Sequence, residues 1–307
     1  MSKKPTHCVI MVTYNHEKWI REALKSVFDN EVLPDKVILF DDCSVDNTWN
    51  IVCEFKEKYG DVLECHRNEK NFGLFQNINQ AYRAGIDSGC DIITDLAGDD
   101  YLKKGLFEEL NKVVEQNKID VKNDKFIIVT NFEALLPDGT VIIYDNYRLR
   151  NEKDLTYYRL AEGFDYREIG LSRNVLKDIQ PFRYDLGVCA DRIFRMDYEA
   201  NCDKFYFSPF VSAVYRCNVG TCANHGHYAL YKSELNVDTV ILKEYNLSKK
   251  SKHFLSKRIL RCIFEIAHQD FIEKRRKTYP FILYLRVLGV RHALKRLKMK
   301  MIELVKS

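Results

Sequence analysis

Three short polar clusters in the sequence each follow an apolar run, at residues 13–15 (TYN), 41–42 (DD) and 99–100 (DD). The adjacent carboxylates of Asp99 and Asp100 are hard oxygen ligands, which suit Mg²⁺ or Mn²⁺ bound together with substrate phosphates. A carboxylate after the second apolar run can accept hydrogen bonds from a ribose hydroxyl or a base N–H. The clusters therefore predict a site for a nucleotide whose phosphates are held by a divalent metal ion.

The turn after the first apolar run, residues 13–19 (TYNHEKW), contains no glycine. Neither the dinucleotide fingerprint GxGxxG nor a P-loop is therefore available to surround phosphates with backbone amides. This absence argues against a nicotinamide-dependent oxidoreductase. A metal ion takes the place of the glycine loop in the predicted site.

The elements that must position these clusters alternate between strands and helices. The predicted strands are residues 7–13, 36–41, 62–66 and 91–96, and the predicted helices are residues 17–29, 48–59, 74–88 and 105–117. This alternation predicts a parallel sheet with right-handed crossovers. Ligands bind such sheets beyond the carboxyl ends of the strands, so the three clusters should meet there. Residues 126–132 and 141–144, joined across Pro-Asp-Gly, predict a hairpin added to the sheet.

Composition and charge narrow the class of protein. The chain has 307 residues, 46% of them hydrophobic, no run of 18 apolar residues and an N-terminal apolar run too short for a signal peptide. Its ten cysteines form no C-x-x-C pair, which indicates reduced thiols. These features predict a cytoplasmic protein.

The C-terminal region differs in charge from the rest. Residues 243–307 contain 18 Lys and Arg against 5 Asp and Glu, a net charge of +13, whereas the preceding residues contain 30 basic and 39 acidic side chains. The last predicted helix has an apolar seam between Leu283 and Leu304 with a cationic back. Such a helix can lie on an anionic membrane surface, or pack on another subunit or on its own domain. Nucleic-acid binding is disfavoured because no reader motif accompanies the charge.

Four motifs in this order resemble family 2 of the glycosyltransferases with the GT-A fold. They are VTYN at 12–15, DDCSVDNT at 41–48, the N-x-G-x-x-x-N-x-N run at 71–79 and LAGDD at 96–100. The resemblance covers about residues 7–220, and residues 215–220 (YRCNVG) resemble the segment that closes the acceptor domain. It implies a Rossmann-like α/β fold with a mostly parallel sheet flanked by helices and a C-terminal helical extension. We expect a GT-A catalytic domain at 1–235, divided into a nucleotide-binding half (1–120) and an acceptor-binding half (121–235), and a basic helical extension at 236–307.

The resemblance also implies roles for particular residues on the donor side. Thr13 and Tyr14 match the positions that hold and stack on a uracil base, with Asn15 beside them, and Asp42 matches the acid that bonds the base. Asn71 and Gly73 either contact the donor or shape the loop.

The metal motif carries the remaining donor-side roles. Asp99 matches the residue near the ribose and diphosphate, and Asp100 matches the metal ligand of the D-x-D-type motif, so we assign both to a Mn²⁺ or Mg²⁺ site. Ala97 replaces a third carboxylate that many members carry. Whether His225 or His227 adds a metal ligand stays open.

The resemblance places the catalytic base at Asp191, in DLGVCADRIFRM, with Ala190 where glutamate is usual. Asp185 and Asp197 are the alternatives. Asp191 would take a proton from the acceptor hydroxyl while this attacks the anomeric carbon, through an oxocarbenium-like transition state and with inversion.

The expected function is therefore a metal-dependent inverting glycosyltransferase that moves a sugar from a UDP-sugar to a glycan or lipid-linked acceptor in surface polysaccharide or oligosaccharide biosynthesis. Its expected location is cytoplasmic or peripheral at the inner face of the plasma membrane, with a membrane or homo-oligomer contact through the C-terminal helices. The alternative is a sugar-nucleotide-binding protein without turnover, in which Ala97 and Ala190 mark lost catalysis.

Overall fold

The computed structural model describes residues 4–162, 168–179, 183–219 and 226–272. The chain divides into two compact units that interleave along the sequence. Unit 1 comprises Met1–Leu155, Phe164–Tyr184 and Phe194–Asn224, and unit 2 comprises Thr156–Gly163, Asp185–Ile193 and His225–Ser307, as far as these ranges are described. The units are discontinuous, whereas the domains predicted at 1–235 and 236–307 are continuous.

Unit 1 begins with four strands that alternate with three helices. They are β1 His7–Thr13, α1 Ile20–Phe28, β2 Lys36–Asp41, α2 Thr48–Tyr59, β3 Leu63–Arg67, α3 Leu74–Asp87 and β4 Ile92–Ala97. All four strands are parallel, in the order β3-β2-β1-β4. Every boundary lies within three residues of the prediction, because each strand is an apolar run and each helix carries a matching apolar face.

The sheet is buried on both faces, which explains the unbroken apolar character of β1. Val9 and Met11 belong to the main core, together with Leu24 of α1. On the opposite face α3 packs closely on β1, since a Cβ atom on Gly85 would lie 2.8 Å from Cγ2 of Ile10. Helices therefore cover both sides of the first four strands.

The remaining elements follow in chain order. They are β5 Tyr101–Leu102, α4 Leu106–Asn117, β6 Phe126–Leu135, β7 Val141–Tyr144, α5 Leu155–Glu162, β8 Glu168–Ser172, α6 Arg173–Leu176, α7 Asp191–Ala200, β9 Lys204–Arg216, α8 His227–Glu244 and α9 Lys249–Ile272. Strand β8 joins β4 to β6 through antiparallel pairs, β6 is parallel to β9, and β9 is antiparallel to β5. The predicted hairpin is confirmed as β6–β7. Within the described ranges nine strands form one sheet, and the predicted α/β class is confirmed, with antiparallel pairs in the second half.

Unit 2 consists of helices and the loop of residues 185–190 that leads into α7. Helices α8 and α9 pack on each other, and Arg258 of α9 donates to the carbonyl oxygen of Leu160 in α5 at 2.7 Å. No helix in the described part of the chain is long and apolar enough to cross a membrane. The predicted seam from Leu283 to Leu304 lies outside the described residues.

Candidate functional site

The carboxyl ends of β1 and β2 are tied together by backbone and side-chain hydrogen bonds. The N–H of Asp42 donates to the carbonyl oxygen of Thr13 at 2.9 Å. Asn15 has a φ of 53°, a left-handed conformation that asparagine tolerates. Its N–H donates to Oγ of Ser44 and its Oδ1 accepts from the N–H of Val45, both at 2.9 Å. The Asn15 side chain thus holds two loops together.

The end of β4 meets the end of β1 at a glycine. The N–H of Gly98 donates to the carbonyl oxygen of Val12 at 2.9 Å. A Cβ atom on Gly98 would lie 2.7 Å from Oγ1 of Thr13 and 2.8 Å from Nδ1 of His16, so no other residue fits here without displacing them. Burial lowers the pKa of His16, and the Asp99 carboxylate acts in the opposite direction. The structure therefore brings the three polar clusters to one edge of the sheet.

Asp42 anchors the loop that precedes α3. Its carboxylate accepts hydrogen bonds from the N–H groups of Phe72 and Gly73, at 2.9 and 2.8 Å, and from Nδ2 of Asn68 at 2.8 Å. Asn71 contributes by accepting from the N–H of Gly73 at 2.9 Å. Gly73, with a φ of 87°, begins the turn into α3. Asp42 therefore fixes the loop that carries two of the predicted donor-binding residues, Asn71 and Gly73.

Asp41, next to Asp42, is fully buried and caps the turn after β2. It accepts hydrogen bonds from the N–H and Oγ of Ser44, and Nε of Arg67 lies 3.5 Å from its carboxylate. Burial raises the pKa of Asp41, while Ser44 and Arg67 oppose that effect. Ser44 and Arg67 already satisfy the Asp41 carboxylate, which agrees with a structural role in the turn after β2.

The pair of acids after β4 is held by the end of β9. Oδ1 of Asp100 accepts from the N–H of Arg216 at 2.8 Å, and the Arg216 guanidinium donates to the carbonyl oxygen of Asp99. The same guanidinium pairs with Glu22 and lies over the ring of Tyr101, 4.8 Å from its centroid. Both acids are buried. Arg216 thus holds the backbone carbonyl of Asp99 and the carboxylate of Asp100 in the predicted metal motif.

Two side chains at this edge, the buried Thr13 and the half-buried His16, each have one buried polar atom that is unsatisfied. Oγ1 of Thr13 and Nδ1 of His16 have no hydrogen-bond partner in the protein, and both point to the same position beside Gly98. Buried polar atoms are costly to leave unpaired, so a ligand is the expected partner. Tyr14 is 40% exposed, which leaves its ring available for stacking on a base.

The residues present fit a divalent metal ion that takes most of its ligands from a diphosphate. Mg²⁺ binds through one or two carboxylates plus phosphates and water. Asp99 and Asp100 would supply two carboxylates, of which Oδ1 of Asp100 already accepts from the N–H of Arg216. Among the described residues no group of three or more His, Cys, Asp and Glu side chains is arranged to hold a metal. His227, the first residue of α8, is exposed and its ring lies 6.4 Å from that of Tyr231, while His225 lies outside the described residues.

Asp191 is the first residue of α7 and belongs to unit 2. Ala190, where the family often has glutamate, is fully buried. Of the two alternatives, Asp185 is exposed in unit 2, and Asp197 lies within α7 in unit 1. The assignment of the base to Asp191 stays a prediction.

Sequence reasoning did not assign three of the residues that build this edge. Arg216 lies in the segment 215–220, for which the family resemblance implies no role for an individual residue. Asn77 lies in the asparagine-rich run, and it links Asn68 to the end of β2 by accepting from Asn68 at 2.9 Å and donating to the carbonyl oxygen of Phe40 at 3.2 Å. No signal in the sequence identified Asn68.

Solved structures share this fold. The structure of Staphylococcus aureus TarS 1-349 in complex with UDP superposes with a TM-score of 0.62 and 18% identity, covering 92% of this chain and 79% of that chain. A mannosyltransferase from Pyrobaculum calidifontis in complex with GDP-Man and Mn²⁺ gives a TM-score of 0.55 at 14% identity, covering 99% of this chain and 81% of that chain. The sheet and its helices therefore define a GT-A-like α/β fold.

The sequence comparisons match the first half of the chain to a known family. Residues 8–156 match the family described as Glycosyl transferase family 2. The dTDP-rhamnosyl transferase RfbG of Shigella flexneri is 38% identical over 163 residues, which are 51% of this chain and 52% of that protein. The S. aureus poly(ribitol-phosphate) β-N-acetylglucosaminyltransferase TarS is 25% identical over 206 residues, which are 64% of this chain and 33% of that protein. Residues 8–156 therefore match glycosyltransferase family 2, the family that the four motifs resemble. The chain spans about half the length of RfbG and a third of TarS.

Proposed function

We propose that this protein is a metal-dependent inverting glycosyltransferase that uses a pyrimidine nucleoside-diphosphate sugar, in the first place a UDP-sugar. The observation that carries the proposal is the shared strand edge, where Tyr14, Asp42, Asp99 and Asp100 lie on loops bonded to one another. The two unsatisfied polar atoms of Thr13 and His16 at that edge support a ligand there.

In the proposed reaction, different residues of the chain bind the nucleobase, hold the metal ion and accept the proton. Thr13, Tyr14, Asp42 and the loop that Asp42 fixes bind the nucleobase, and Asp99 and Asp100 would hold the metal ion. When bound, the ion supplies positive charge that stabilises the leaving diphosphate. Asp191 accepts the proton of the acceptor hydroxyl as that oxygen attacks the anomeric carbon.

The names and ligands of the relatives support a pyrimidine nucleobase in the donor, but they do not distinguish uracil from thymine. RfbG is named for a dTDP-sugar, and TarS has been solved with UDP and UDP-GlcNAc. Uracil and thymine share the same hydrogen-bonding edge, so one site accommodates both. We also propose a glycan or lipid-linked acceptor in surface polysaccharide or oligosaccharide biosynthesis, which rests on the family resemblance of the motifs and not on the names of these relatives. A membrane or subunit contact through the seam at 283–304, at the inner face of the plasma membrane, is part of this proposal.

Binding and turnover test the proposal separately. UDP- and dTDP-sugars with Mn²⁺ should raise the melting temperature, because a ligand that binds only the folded state stabilises it, whereas GDP-sugars should not. Chelator and Asp100→Ala should both remove that increase. An increase that survives both would contradict the metal site.

Asp191→Asn tests the base. It should lower the transfer rate by about 10²- to 10⁴-fold and leave the binding of UDP unchanged. Binding without transfer in the wild type, across the donor panel and with acceptor mixtures, would favour a sugar-nucleotide-binding protein without turnover.

A further inference from the structure

The loop that carries Asp191 is held by a serine of α8. Oγ of Ser233 accepts from the N–H of Cys189 and donates to the carbonyl oxygen of Leu186, both at 2.9 Å. Gly187, with a φ of 87°, lies so close that a Cβ atom on it would be 2.8 Å from Oγ of Ser233. One buried hydroxyl therefore closes the turn that ends just before Asp191.

Arg192, immediately after Asp191, is held by charged side chains of α8, the helix that also carries Ser233. Its guanidinium donates to Oε1 of Glu234 at 3.1 Å and lies 3.8 Å from Oδ1 of Asp238. Arg258 of α9 binds Asp238 in a bidentate manner, with both N···O distances at 2.6 Å. The four side chains form one network, which we name the clamp: Arg192, Glu234, Asp238 and Arg258.

The clamp is most deeply buried at Asp238 and Arg258, whereas Arg192 and Glu234 are partly exposed. Asp238 is completely inaccessible to solvent, and the Arg258 side chain is 12% exposed. Burial raises the pKa of Asp238, although Arg258 opposes this. Burial acts in the same direction on Glu234, but Arg192 and Arg258 outweigh it, so its pKa lies below the usual range. A buried charge that loses its partner is strongly unfavourable, so the geometry is tightly specified.

Asp191 therefore lies between two anchored residues, Cys189 and Arg192, and both anchors come from the C-terminal helices. We propose that α8 and α9 act as the positioning platform for the catalytic carboxylate, with Ser233, Asp238 and Arg258 as positioning residues. This inference rests on the proposed function, in which Asp191 is the base. It gives the first part of the basic extension a role in the reaction itself, since a base displaced by about 1 Å can lose on the order of a hundredfold in rate.

The test compares Arg258→Lys with Arg261→Lys. Lysine at 258 keeps the charge but cannot make the bidentate pair with Asp238. Arg261 is on the same helix, is exposed and lies outside the clamp, so it is the matched control. Arg258→Lys should lower kcat for transfer by about tenfold or more while the Kd for UDP stays within about twofold. Arg261→Lys should change neither quantity.

A double-mutant cycle separates positioning from general damage. In an Asp191→Asn background, Arg258→Lys should no longer lower the residual rate, because the group it positions is gone. An equal loss in both backgrounds, or an unchanged kcat in a folded Arg258→Lys variant, would overturn the inference. If Asp191→Asn alone leaves transfer intact, the base assignment fails independently.

If Arg258→Lys does not fold, a variant that changes no charged residue, Ser233→Ala, provides the same test. Ser233→Ala leaves no unpaired charge, and it should lower kcat in the wild-type background and have no effect on the rate in the Asp191→Asn background. A Ser233→Ala protein with wild-type kcat would count against the platform.

Discussion

The strand edge of unit 1 and the 185–193 loop of unit 2 both present carboxylates, but they are held in different ways. At the strand edge, Asp42 is fixed mainly by backbone N–H groups of a loop about 30 residues away. The loop before α7 is fixed by Oγ of Ser233 in α8, 44 to 47 residues further along the chain, and Arg192 in α7 is held by Glu234 of the clamp. Backbone donors are supplied by any sequence that adopts the loop conformation, whereas the clamp needs particular charged residues.

Under the proposed function, the strand edge binds the nucleotide and the loop of unit 2 carries the catalytic base, so the two regions can be tested separately. Changes at the strand edge should weaken nucleotide binding, and changes at the clamp or its serine should slow transfer without weakening binding. Substitutions of glycine offer a clean comparison, because the added Cβ atom meets a known neighbour in each region.

Gly98→Ala should give the largest effect. The new Cβ atom would overlap Oγ1 of Thr13 at 2.7 Å and Nδ1 of His16 at 2.8 Å. Overpacking of this kind costs about 1–3 kcal/mol, so the affinity for UDP should fall by about 10- to 100-fold in calorimetric titration. Gly226→Ala is the control, since Gly226 has a φ of −65° and nothing lies within 4 Å of its Cβ position. If Gly98→Ala leaves the affinity for UDP unchanged, the nucleotide does not bind at this edge of the sheet.

Gly187→Ala should lower kcat by about tenfold and leave the Kd for UDP unchanged, if the turn before Asp191 serves catalysis. Its matched control is Gly139→Ala. The two glycines have φ values of 87° and 85°, but only Gly187 has a neighbour, Ser233, within 4 Å. Both variants carry the backbone strain of a non-glycine residue at positive φ, about 1 kcal/mol or more. Equal kcat values in the two variants would show that the contact with Ser233 has no catalytic consequence.

Asp91→Asn should affect stability alone, by about 1–2 kcal/mol at neutral pH. Asp91 lies before β4, at the amino end of the sheet, and accepts from the N–H and Oγ1 of Thr6 at 3.0 and 2.9 Å. Burial raises its pKa, but Lys122 and Thr6 outweigh burial, so the pKa of Asp91 is lowered. The stabilisation is therefore complete above the unfolded pKa of about 4 and is lost as the pH falls below it.

Urea unfolding of wild type and Asp91→Asn at several pH values measures this difference. The free energies of unfolding should differ most near pH 7 and converge in acid. A change in kcat or in UDP affinity would show that the amino end of the sheet contributes to the site.

Local order in unit 1 was predictable from the sequence for a physical reason. The strands of a buried parallel sheet must be apolar throughout, and the helices on it must carry an apolar face, so β2 and α2 begin and end at the predicted residues. The edge where ligands bind follows from the direction of the strands alone. Tyr14, Asp42 and Asp100 could therefore be identified as a group before any coordinates.

The sequence by itself thus determined the fold class, the match of residues 8–156 to glycosyltransferase family 2 and the edge of the sheet where polar residues gather. Only the tertiary structure decided how those residues are held: that Asn15 bonds to Val45, that Arg216 fixes Asp99 and Asp100, and that Arg258 reaches Asp238. These contacts join residues from 20 to more than 100 positions apart, and no local periodicity records them. Burial then makes each one specific, because a charge or polar atom removed from water requires its own partner.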